Sequence, residues 1–490
     1  MKIYDAVIIG AGIAGLATAL RLNKRGMRVL VLEKNAYVGG KMNQYKEKGY
    51  RWDTGPSLFT MPSLVNELYG LYQKNPADYY TYQQEDEACR YFFEDGTTVN
   101  FYTDRKALTE EIARQLSVDK KRINSYLEKS AEKYEAVGAL FLEYAIHKPS
   151  SLPWKKVLSR TPQFLSANLL TSLHQYNKKT LQHPKLVQIF DRYATYNGSN
   201  PYEASGVLSM IPHLEQNIGT FFPTNGIRSI VDGLYKLALE EGIDILLGQT
   251  VKQCIPEKEG YEVYTDKPYY AKRLICAIDC LTFYKHILRD ATLYQRYKKQ
   301  ERSSSALIYY WGMAKQFPKL GLHNIFFSID YQREFEQIFK EKVVPKDATI
   351  YVHISSKSNP KDAPANGENW FVMINTPAGA SIGTEEKAAI KALIIKRLER
   401  LLKTSIEPFI EVERVWTPKG IEWDTGAYQG ALYGAASNAK MAALTRHPNF
   451  SKKYKDLYFC GGTVHPGGGI PLSIQSAKIV EKLIINEPRT

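Results

Sequence analysis

The sequence predicts an α/β protein in which a parallel-sheet domain, assembled from three separated segments, carries an inserted second domain. A strand, a helix and a second strand follow one another in the first 33 residues. Strand and helix patterns return at residues 226–278 and again at residues 456–485. The 490 residues of the chain exceed the roughly 250–300 at which one hydrophobic core stops growing, so at least two domains are expected.

The β-α-β unit at the start of the chain contains a glycine-rich turn. Short β-branched runs, typical of buried parallel strands, flank a helical pattern at residues 13–24. Gly10, Gly12 and Gly15 precede or begin this helix in the spacing G-x-G-x-x-G, and Glu33 ends the second strand. The glycines allow a tight turn, close approach of a pyrophosphate and helix–strand packing, and the acid binds ribose hydroxyls. The unit therefore predicts a dinucleotide with an unphosphorylated adenosine ribose, either FAD or NAD.

A second glycine motif distinguishes between these two cofactors. Gly39 and Gly40 follow Glu33 closely, and residues 52–57 read Trp-Asp-Thr-Gly-Pro-Ser. Paired glycines let backbone amides approach an anionic or planar ligand. An NAD site has no need of a glycine pair here, whereas in flavoproteins the pair lies along the diphosphate and the flavin. The motif therefore favours FAD.

The last segment of the chain contains the densest glycine cluster. Residues 457–473 read LYFCGGTVHPGGGIPLS, a pattern of strand, loop and helix with Pro471 in the first helical turn. The positive end of this helix suits a flavin ring that becomes negative on reduction. Glycines 467–469 let the chain lie against a planar ring. Because the sequence has one dinucleotide fingerprint, no separate NAD(P)H domain is expected.

The composition excludes several classes of protein. Hydrophobic residues make up 44% and charged residues 24%, as in a folded globular protein. No uncharged apolar run reaches the ~18–20 residues of a membrane-spanning helix. The five cysteines are scattered without a C-x-x-C pair, which argues against a disulfide framework and a zinc site and fits a cytoplasmic compartment. The net charge of +14 favours acidic partners, and no recognised nucleic-acid-binding module accompanies it.

These motifs carry a resemblance to a known family. Over nearly its whole length the chain resembles the bacterial FAD-dependent carotenoid desaturases, relatives of phytoene desaturase in the amine oxidase flavoprotein superfamily. The matching segments are GAGIAGLATAL (10–20), EKNAYVGGK (33–41), GYRWDTGPSLFTMP (49–62), HNIFFSIDY (323–331), TIYVHISSKSNPKDAPANGENWFVMI (349–374) and YFCGGTVHPGGGIP (458–471). Within the third of these segments, DTGPSLFTMP (53–62) is more similar to the 1-hydroxycarotenoid 3,4-desaturase branch than to the phytoene branch. Departures from the family pattern occur at residues 225–226, 277–279 and 472, and none removes a charged cofactor contact.

The resemblance implies a Rossmann-like FAD-binding domain with an inserted α+β substrate and membrane region. We place the FAD-binding domain in residues 1–75, 225–300 and 417–490, and the substrate-binding and membrane-associating region in residues 76–224 and 301–416. Carried over to this chain, the resemblance implies FAD contacts at Gly10, Gly12, Ala14, Gly15, Glu33, Lys34, Gly39, Gly40, Lys41, Gly55, Pro56, Ser57, Val251, Gly461, Gly462, Gly469, Ile470 and Pro471. It assigns no catalytic residue and no metal site.

By the same resemblance, the expected reaction is the FAD-dependent desaturation of a carotenoid. An allylic carbon loses a hydride to flavin N5, the adjacent carbon loses a proton, and a conjugated C=C bond forms. The expected substrate is an acyclic carotenoid with a 1-hydroxylated end, oxidised at C3 and C4, and quinone or oxygen is expected to reoxidise the flavin. The alternatives are a phytoene desaturase, an amine or porphyrinogen oxidase, and a prenyl-lipid binding chaperone of the Rab GDP-dissociation-inhibitor type without flavin chemistry.

Residues 144–190 predict contact with a membrane. The segment contains seven basic residues and no acidic one. Apolar side chains recur in it at helical spacing, at Leu165, Leu169, Leu173 and Tyr176. An amphipathic basic helix of this kind suits an anionic membrane surface, and the alternative is a core-facing helix with a solvated basic face. We expect peripheral association with the cytoplasmic side of the membrane.

Three further side chains are candidates for chemistry. His465, inside the terminal glycine loop, is either a residue facing the flavin or substrate or a hydrogen-bonded structural histidine. Glu422 and Asp424 are candidate bases, although an exposed turn is the simpler interpretation of this segment.

Overall fold

The computed structural model of the protein describes residues 2–159 and 168–486. The strands in these ranges are β1 (Ile3–Ile9), β2 (Val29–Leu32), β3 (Gln44–Glu47), β4 (Tyr50–Asp53), β5 (Tyr82–Gln84), β6 (Glu87–Phe92), β7 (Thr98–Tyr102), β8 (Phe221–Pro223), β9 (Asp244–Leu246), β10 (Gln253–Glu257), β11 (Gly260–Tyr264), β12 (Pro268–Cys276), β13 (Ser305–Met313), β14 (His323–Phe326), β15 (Ile350–Ile354), β16 (Glu368–Thr376), β17 (Ile410–Trp416) and β18 (Leu457–Phe459).

The helices of the same ranges lie between and around these strands. They are α1 (Ile13–Lys24), α2 (Pro62–Gly70), α3 (Arg105–Leu116), α4 (Lys120–Lys133), α5 (Ala139–Glu143), α6 (Trp154–Ser159), α7 (Leu173–Leu181), α8 (Pro184–Asp191), α9 (Ile211–His213), α10 (Arg228–Glu240), α11 (Cys280–Thr282), α12 (Ala291–Lys298), α13 (Tyr331–Glu336), α14 (Thr384–Leu402), α15 (Pro418–Thr425), α16 (Ala442–Thr445) and α17 (Ile470–Ile485).

The first large sheet has the strand order β10-β11-β12-β1-β2-β9, with β18 also paired to β12. Strand β1 runs parallel to β12 and β2, β2 runs parallel to β9, and β12 runs parallel to β18. The sheet therefore draws its strands from the start, the middle and the end of the chain, and the α/β fold class is confirmed. The boundaries of the two domains stay a prediction.

The core of this sheet follows from its apolar strands and one deeply buried helix. All four residues of β2 are buried, as are the last four of β1. Helix α1 begins and ends at the predicted residues, 13 and 24, and ten of its twelve residues are buried. It lies in one apolar cluster with α17 and α10, through side chains such as Leu16, Ile474 and Leu234. This packing fixes the position of the glycine-rich turn that precedes α1.

The second large sheet has the order β17-β13-β16-β15-β14-β6-β7 and is antiparallel except where β14 meets β6. Every residue of its long strand β13 is buried. One face packs against α14, where Leu307, Tyr309 and Trp311 share an apolar cluster with Ile394 and Leu398. Residues of the opposite face, among them Ile308 and Phe371, line a cavity that residues of the first sheet also line. Two small two-stranded sheets, β3-β4 and β5-β8, complete the strand pairing of the described chain.

The predicted amphipathic helix in residues 144–190 is wrong as a single element. Arg160 and Leu165 lie outside the described residues, and the rest of the segment forms the three separate helices α6, α7 and α8. Ser172 explains why a new helix starts at residue 173. Its side chain accepts a hydrogen bond from the backbone N–H of Gln175 as part of a capping box, and this cap fixes the start of α7. Leu173 is consequently fully buried. In the chain as described, no helix is both long and apolar enough to cross a membrane.

Candidate functional site

A cavity of about 1020 Å³ lies between the two large sheets. Its wall includes the residues that follow the carboxyl ends of the parallel strands of the first sheet, at Gly10, Glu33, Val251, Ala277 and Gly461. In open parallel sheets the ligand binds at this edge. The opposite wall is formed by the face of the second sheet that does not pack against α14. The cavity therefore has a nucleotide-type site on one side and a second compartment, lined by the other sheet, on the opposite side.

The glycine-rich turn lies at one end of the cavity. Gly10 has a φ of +102°, a backbone conformation that favours glycine. Gly12 is the N-cap of α1 and provides no side-chain cap, so the first helical N–H groups are available to an anion. A Cβ on Gly12 would meet no atom within 4 Å, whereas one on Gly15 would lie 2.0 Å from the Gly10 carbonyl oxygen. Gly12 thus faces open space, and Gly15 serves the packing of helix on strand.

Glu33 is held beside this turn by backbone hydrogen bonds. The N–H of Ala11 donates to Glu33 Oε2 at 2.8 Å, and the N–H of Asn35 donates to Oε1 at 2.9 Å. Only 5% of Glu33 is exposed, and the residue lines the cavity. Each carboxylate oxygen retains a lone pair for another donor. The site can therefore accept hydrogen bonds from a pair of ribose hydroxyls.

The paired-glycine loop lies directly against the first turn. The N–H of Gly39 donates to the Ala11 carbonyl oxygen at 2.8 Å, and Gly39 and Gly40 have φ angles of +113° and +57°. Lys41 Nζ donates to the carbonyl oxygen of Leu432 at 2.6 Å. Burial lowers the pKa of Lys41 to about 8. The loop therefore lines the cavity with backbone and one partly desolvated amine.

The terminal glycine loop closes the cofactor end of the cavity. Gly469, with a φ of +105°, is the N-cap of α17, and this cap too lacks a side-chain hydrogen bond. Arg446 is buried and donates to four backbone carbonyl oxygens, those of Val464, Gly462, Ala435 and Tyr433. Burial, followed by the charge of Arg302, lowers the pKa of Arg446 to about 10. This guanidinium fastens the glycine loop to the neighbouring segment 433–435.

The structure brings nearly all of the predicted FAD contacts into the wall of this cavity. Gly15 is the exception, for the packing reason given above. The others that line it are Gly10, Gly12, Ala14, Glu33, Lys34, Gly39, Gly40, Lys41, Gly55, Pro56, Ser57, Val251, Gly461, Gly462, Gly469, Ile470 and Pro471. Two uncapped helix N-termini, a glycine wall without side chains and the fixed Glu33 carboxylate fit FAD, with its diphosphate, ribose and planar ring.

Several residues of the same wall were not among the predicted FAD contacts. Gln249 and Thr250 follow β9, and Ala277, Ile278 and Asp279 follow β12, all at the carboxyl edge of the sheet. The position of each group directly after a parallel strand was the signal that could have identified it. Arg446 gave no such signal, because its four carbonyl partners become neighbours only in the folded chain.

The candidate side chains outside the glycine motifs have structural partners. His465 is fully buried, its Nε2 lies 3.0 Å from the Tyr144 carbonyl oxygen, and burial lowers its pKa to about 3. Glu422 accepts from the N–H of Gln429, and Asp424 accepts from the Trp416 ring N–H. Neither acid lines the cavity. These contacts favour the structural interpretation of all three side chains.

Beyond the cofactor end, the cavity wall is predominantly apolar. Its side chains there are Val137, Leu140, Phe141, Leu142, Ile146, Leu152, Val157 and Leu169. A wall of this kind suits a hydrocarbon chain. Within the ranges that the structure describes, no group of three or more histidine, cysteine, aspartate and glutamate side chains is arranged to hold a metal ion.

Comparison with known proteins agrees with this arrangement. The family model for flavin containing amine oxidoreductases matches residues 13–480. The chain is 46% identical over 485 residues to a 1-hydroxycarotenoid 3,4-desaturase of Flavobacterium sp. (strain P99-3), covering 98% of this chain and 99% of that protein. It is 30% identical over 493 residues to a 4,4'-diaponeurosporene oxygenase of Staphylococcus aureus (strain MSSA476), covering 99% of this chain and 98% of that protein.

Solved structures share the fold at low sequence identity. A putrescine oxidase bound to putrescine superimposes with a TM-score of 0.65 at 15% identity, covering 99% of this chain and all of that one. An oxidoreductase from Methanosarcina mazei gives a TM-score of 0.63 at 14% identity, covering 98% of this chain and all of that one. These similarities concern the fold alone.

Proposed function

The chain belongs to the FAD-dependent carotenoid desaturases of the flavin-containing amine oxidoreductase family, and we propose that it introduces the 3,4 double bond into an acyclic, 1-hydroxylated carotenoid. The similarity to the Flavobacterium 1-hydroxycarotenoid 3,4-desaturase supports this bond and this end group. The enzyme is an FAD-dependent oxidoreductase acting on a CH–CH bond.

The observation that carries the proposal is the continuity of the cavity. The same cavity is lined by the glycines of the candidate cofactor site, Gly12, Gly40 and Gly469, and by the apolar side chains of Leu140 and Leu169. Its volume of about 1020 Å³ lies at the upper end of ligand pockets, typically about 300–1,000 Å³. A polyene can therefore extend along the apolar wall with one end at the cofactor.

FAD, when bound, supplies the acceptor for the hydride that the allylic carbon loses. The uncapped N-terminus of α1 would hold its diphosphate, and Glu33 would hold its ribose. The apolar wall aligns the substrate and excludes water, and such positioning lowers the entropic part of the barrier. Protons beside a developing polyene cation are acidic enough to leave without a strong base, and we assign none.

The test is single-turnover oxidation of defined carotenoids by the purified holoenzyme. Under anaerobic conditions, a 1-hydroxylated acyclic carotenoid in liposomes should bleach the flavin stoichiometrically and shift its own absorption to the red. Phytoene should do neither. A red shift confined to phytoene would instead establish a phytoene desaturase, and flavin that stays oxidised with every carotenoid would contradict desaturation.

We also propose that the cavity opens at a membrane surface, on its cytoplasmic side. Five exposed apolar side chains lie on the segments that form the outer cavity wall: Trp154, Leu158, Leu170, Met441 and Leu444. We call these five residues the mouth patch. The two sides of the patch are tied together, because His147 Nε2 lies 3.0 Å from the Leu444 carbonyl oxygen. Apolar side chains around a hydrophobic cavity suit the uptake of a lipid-soluble substrate from a bilayer.

Exposed lysines accompany the mouth patch. Lys155 lies on the same helix as Trp154, and Lys440 precedes Met441. Each basic residue near an anionic surface adds about 1 kcal/mol to membrane attraction. By contrast, Lys185 of the acid-free segment is paired with Asp95. The docking proposal uses Lys155 and Lys440 because both are exposed and adjacent in sequence to residues of the mouth patch.

Liposome sedimentation with matched variants tests the docking proposal. Leu444→Glu and Trp154→Glu should weaken binding to anionic liposomes, and Lys155→Glu should weaken binding to anionic but not to neutral ones. Trp423→Glu is the control, since Trp423 is 82% exposed yet lies outside the mouth patch. If all three glutamate variants at apolar or basic positions bind as the wild type does, membrane docking at this surface is wrong.

We propose quinone or oxygen as the acceptor that reoxidises the reduced flavin. Either one removes the two electrons that each new double bond releases. Stopped-flow reoxidation of the dithionite-reduced holoenzyme, with a soluble quinone and with dissolved oxygen in separate experiments, compares the two. Failure of both acceptors would contradict the proposal.

A further inference from the structure

The cavity has one polar region that a pure hydrocarbon does not require. The side chains of Ser57, Arg192, Glu215, His323 and Tyr351 all line it, in contrast to the apolar wall near the mouth patch. Arg192, Glu215 and His323 are each more than nine-tenths buried. Burial of polar and charged groups is costly unless they are hydrogen-bonded, so this region calls for an explanation.

Part of this region is a relay of neutral hydrogen-bonding groups. Ser57 Oγ lies 2.7 Å from the Tyr351 hydroxyl oxygen, and this hydroxyl lies 2.7 Å from His323 Nδ1. Burial lowers the pKa of His323 well below its usual value, so the ring is neutral, with one donor and one acceptor nitrogen. Either end of the Ser57–Tyr351 contact can donate. The relay can therefore adjust its direction to a partner that donates or to one that accepts.

The relay is backed by a buried ion pair with unused hydrogen-bonding capacity. Arg192 Nη2 lies 3.5 Å from Glu215 Oε1 and donates to the Tyr91 hydroxyl at 2.6 Å. Arg192 Nε and His323 Nε2 are both buried and have no hydrogen-bonding partner among the described residues. These two atoms belong to residues that line the same cavity, and they leave hydrogen-bonding capacity for a polar guest.

We propose that Tyr351 and His323 bind the terminal hydroxyl group of the carotenoid and thereby select a hydroxylated end over a hydrocarbon end. The inference rests on the proposed desaturation. A hydroxyl group can both donate and accept a hydrogen bond, and so can the relay of Ser57, Tyr351 and His323. A charged ligand would instead require a partner of opposite charge.

The position of the relay agrees with the bond to be oxidised. Ser57 follows Gly55 and Pro56 in the segment expected to contact FAD, while Tyr351 and His323 lie on the facing sheet. In a 1-hydroxylated end only C2 separates the hydroxylated carbon from C3. The group that holds the hydroxyl must consequently lie beside the cofactor end of the cavity rather than at its mouth, and the relay does so.

The test compares two substrates that differ only in the hydroxyl group. The wild-type holoenzyme should oxidise the 1-hydroxylated carotenoid with a higher kcat/KM than its deoxy counterpart. Tyr351→Phe and His323→Leu should each lower kcat/KM for the hydroxylated substrate about tenfold or more, the usual effect of losing a buried hydrogen bond, and should lower it much less for the deoxy substrate. Tyr309→Phe is the control, because the Tyr309 hydroxyl donates to the Lys387 carbonyl oxygen on the opposite face of the same sheet.

A binding measurement separates recognition from turnover. The hydroxylated 3,4-desaturated product and its deoxy form, which the enzyme does not oxidise at this bond, are titrated against the flavin absorption of the holoenzyme. The ratio of the two Kd values should fall towards one in Tyr351→Phe and stay at the wild-type ratio in Tyr309→Phe. Equal losses for both substrates in Tyr351→Phe, or a wild type without preference, would overturn the inference and leave desaturation standing. A wild type that oxidises neither carotenoid would overturn the proposed function itself.

Discussion

The carboxylate of Glu33 and the backbone N–H of Ala11 are joined by a 2.8 Å hydrogen bond across the first two parallel strands. The bond holds the side chain of Glu33, at the end of β2, in a fixed position beside the glycine-rich turn. Glu33 is thus oriented before any cofactor arrives, and the remaining lone pairs of its oxygens face the cavity end where a ribose fits.

Replacement of Glu33 by glutamine should weaken FAD binding, and it should also cost some stability, because the amide oxygen can take the place of only one of the two oxygens that accept from the backbone N–H groups of Ala11 and Asn35. The amide loses a charge-assisted contact to the ribose hydroxyls, worth about 1.5–3 kcal/mol, so the Kd for FAD should rise about 10- to 100-fold. Quenching of FAD fluorescence by the apoprotein measures this Kd. Glu257→Gln, at an exposed position of β10 in the same sheet, should leave it unchanged. An unaltered Kd in Glu33→Gln would contradict the ribose contact.

Alanine at Gly12 and alanine at Gly15 should have opposite effects. Gly12 has an ordinary φ of −69° and open space at its Cβ position, so Gly12→Ala should fold normally and obstruct the approach of the diphosphate. A Cβ on Gly15 would meet the Gly10 carbonyl oxygen at 2.0 Å, so Gly15→Ala should destabilise the apoprotein by about 1–3 kcal/mol. Denaturant unfolding of the apoproteins and FAD titration measure the two effects. Loss of stability in Gly12→Ala with normal FAD binding would contradict this assignment.

Glu334 should make the stability of the protein depend on pH. Its carboxylate is 1% exposed and accepts from Ser328 and Thr349, and burial raises its pKa to about 7 from 4.5. The folded state therefore binds the proton more tightly than the unfolded state. Stability from this group is present below pH 4.5 and is lost as the pH rises through 7.

Glu334→Gln should remove that dependence. The variant should gain up to about 3 kcal/mol in unfolding free energy relative to the wild type at pH 8, and little at pH 4.5. Urea unfolding of both proteins across this pH range gives the difference directly, and groups that titrate in both proteins cancel. A difference that stays constant with pH would show that the pKa of Glu334 is the same in the folded and unfolded states, and would contradict the raised pKa.

Arg446→Met should loosen the terminal glycine loop. The change removes the donors to four backbone carbonyl oxygens, among them those of Gly462 and Val464. We expect a loss of about 2–5 kcal/mol in stability, together with weaker FAD binding, because buried acceptors are left without partners. Thermal unfolding of the holoprotein and FAD titration measure the two losses. Normal FAD affinity in a folded Arg446→Met protein would show that the loop keeps its shape without the guanidinium.

The wall of the candidate cofactor site was predictable from the sequence, because it consists largely of backbone at glycine positions. Glycine spacing reports where backbone must approach a ligand, and Gly12, Gly40 and Gly469 lie in the cavity wall as expected. The position of Glu33 follows from the end of a strand. These features involve residues that are close together in the sequence, so they can be recognised from the sequence alone.

The substrate end was not predictable in the same way. Tyr351 and His323 become neighbours only through strand pairing between β14 and β15, and Arg192 meets Glu215 across two separate helical turns. The spacing of Leu169, Leu173 and Tyr176 suggested one helix, because apolar periodicity continues across a helix boundary that the capping box at Ser172 imposes. Contacts of this kind depend on packing between segments that are far apart in the sequence, and a single sequence does not show which segments pack together.

The pairing of β18 with β12 has a consequence for how the protein is made. Strand β12 joins β1, at residues 3–9, to β18 at residues 457–459, and α17 packs beside α1. Nascent chains emerge at about 5–20 residues per second and fold from the N-terminus. The candidate FAD site stays without its terminal glycine loop until residues 457–473 have left the ribosome. We therefore expect FAD to bind only after residues 457–473 have been synthesised.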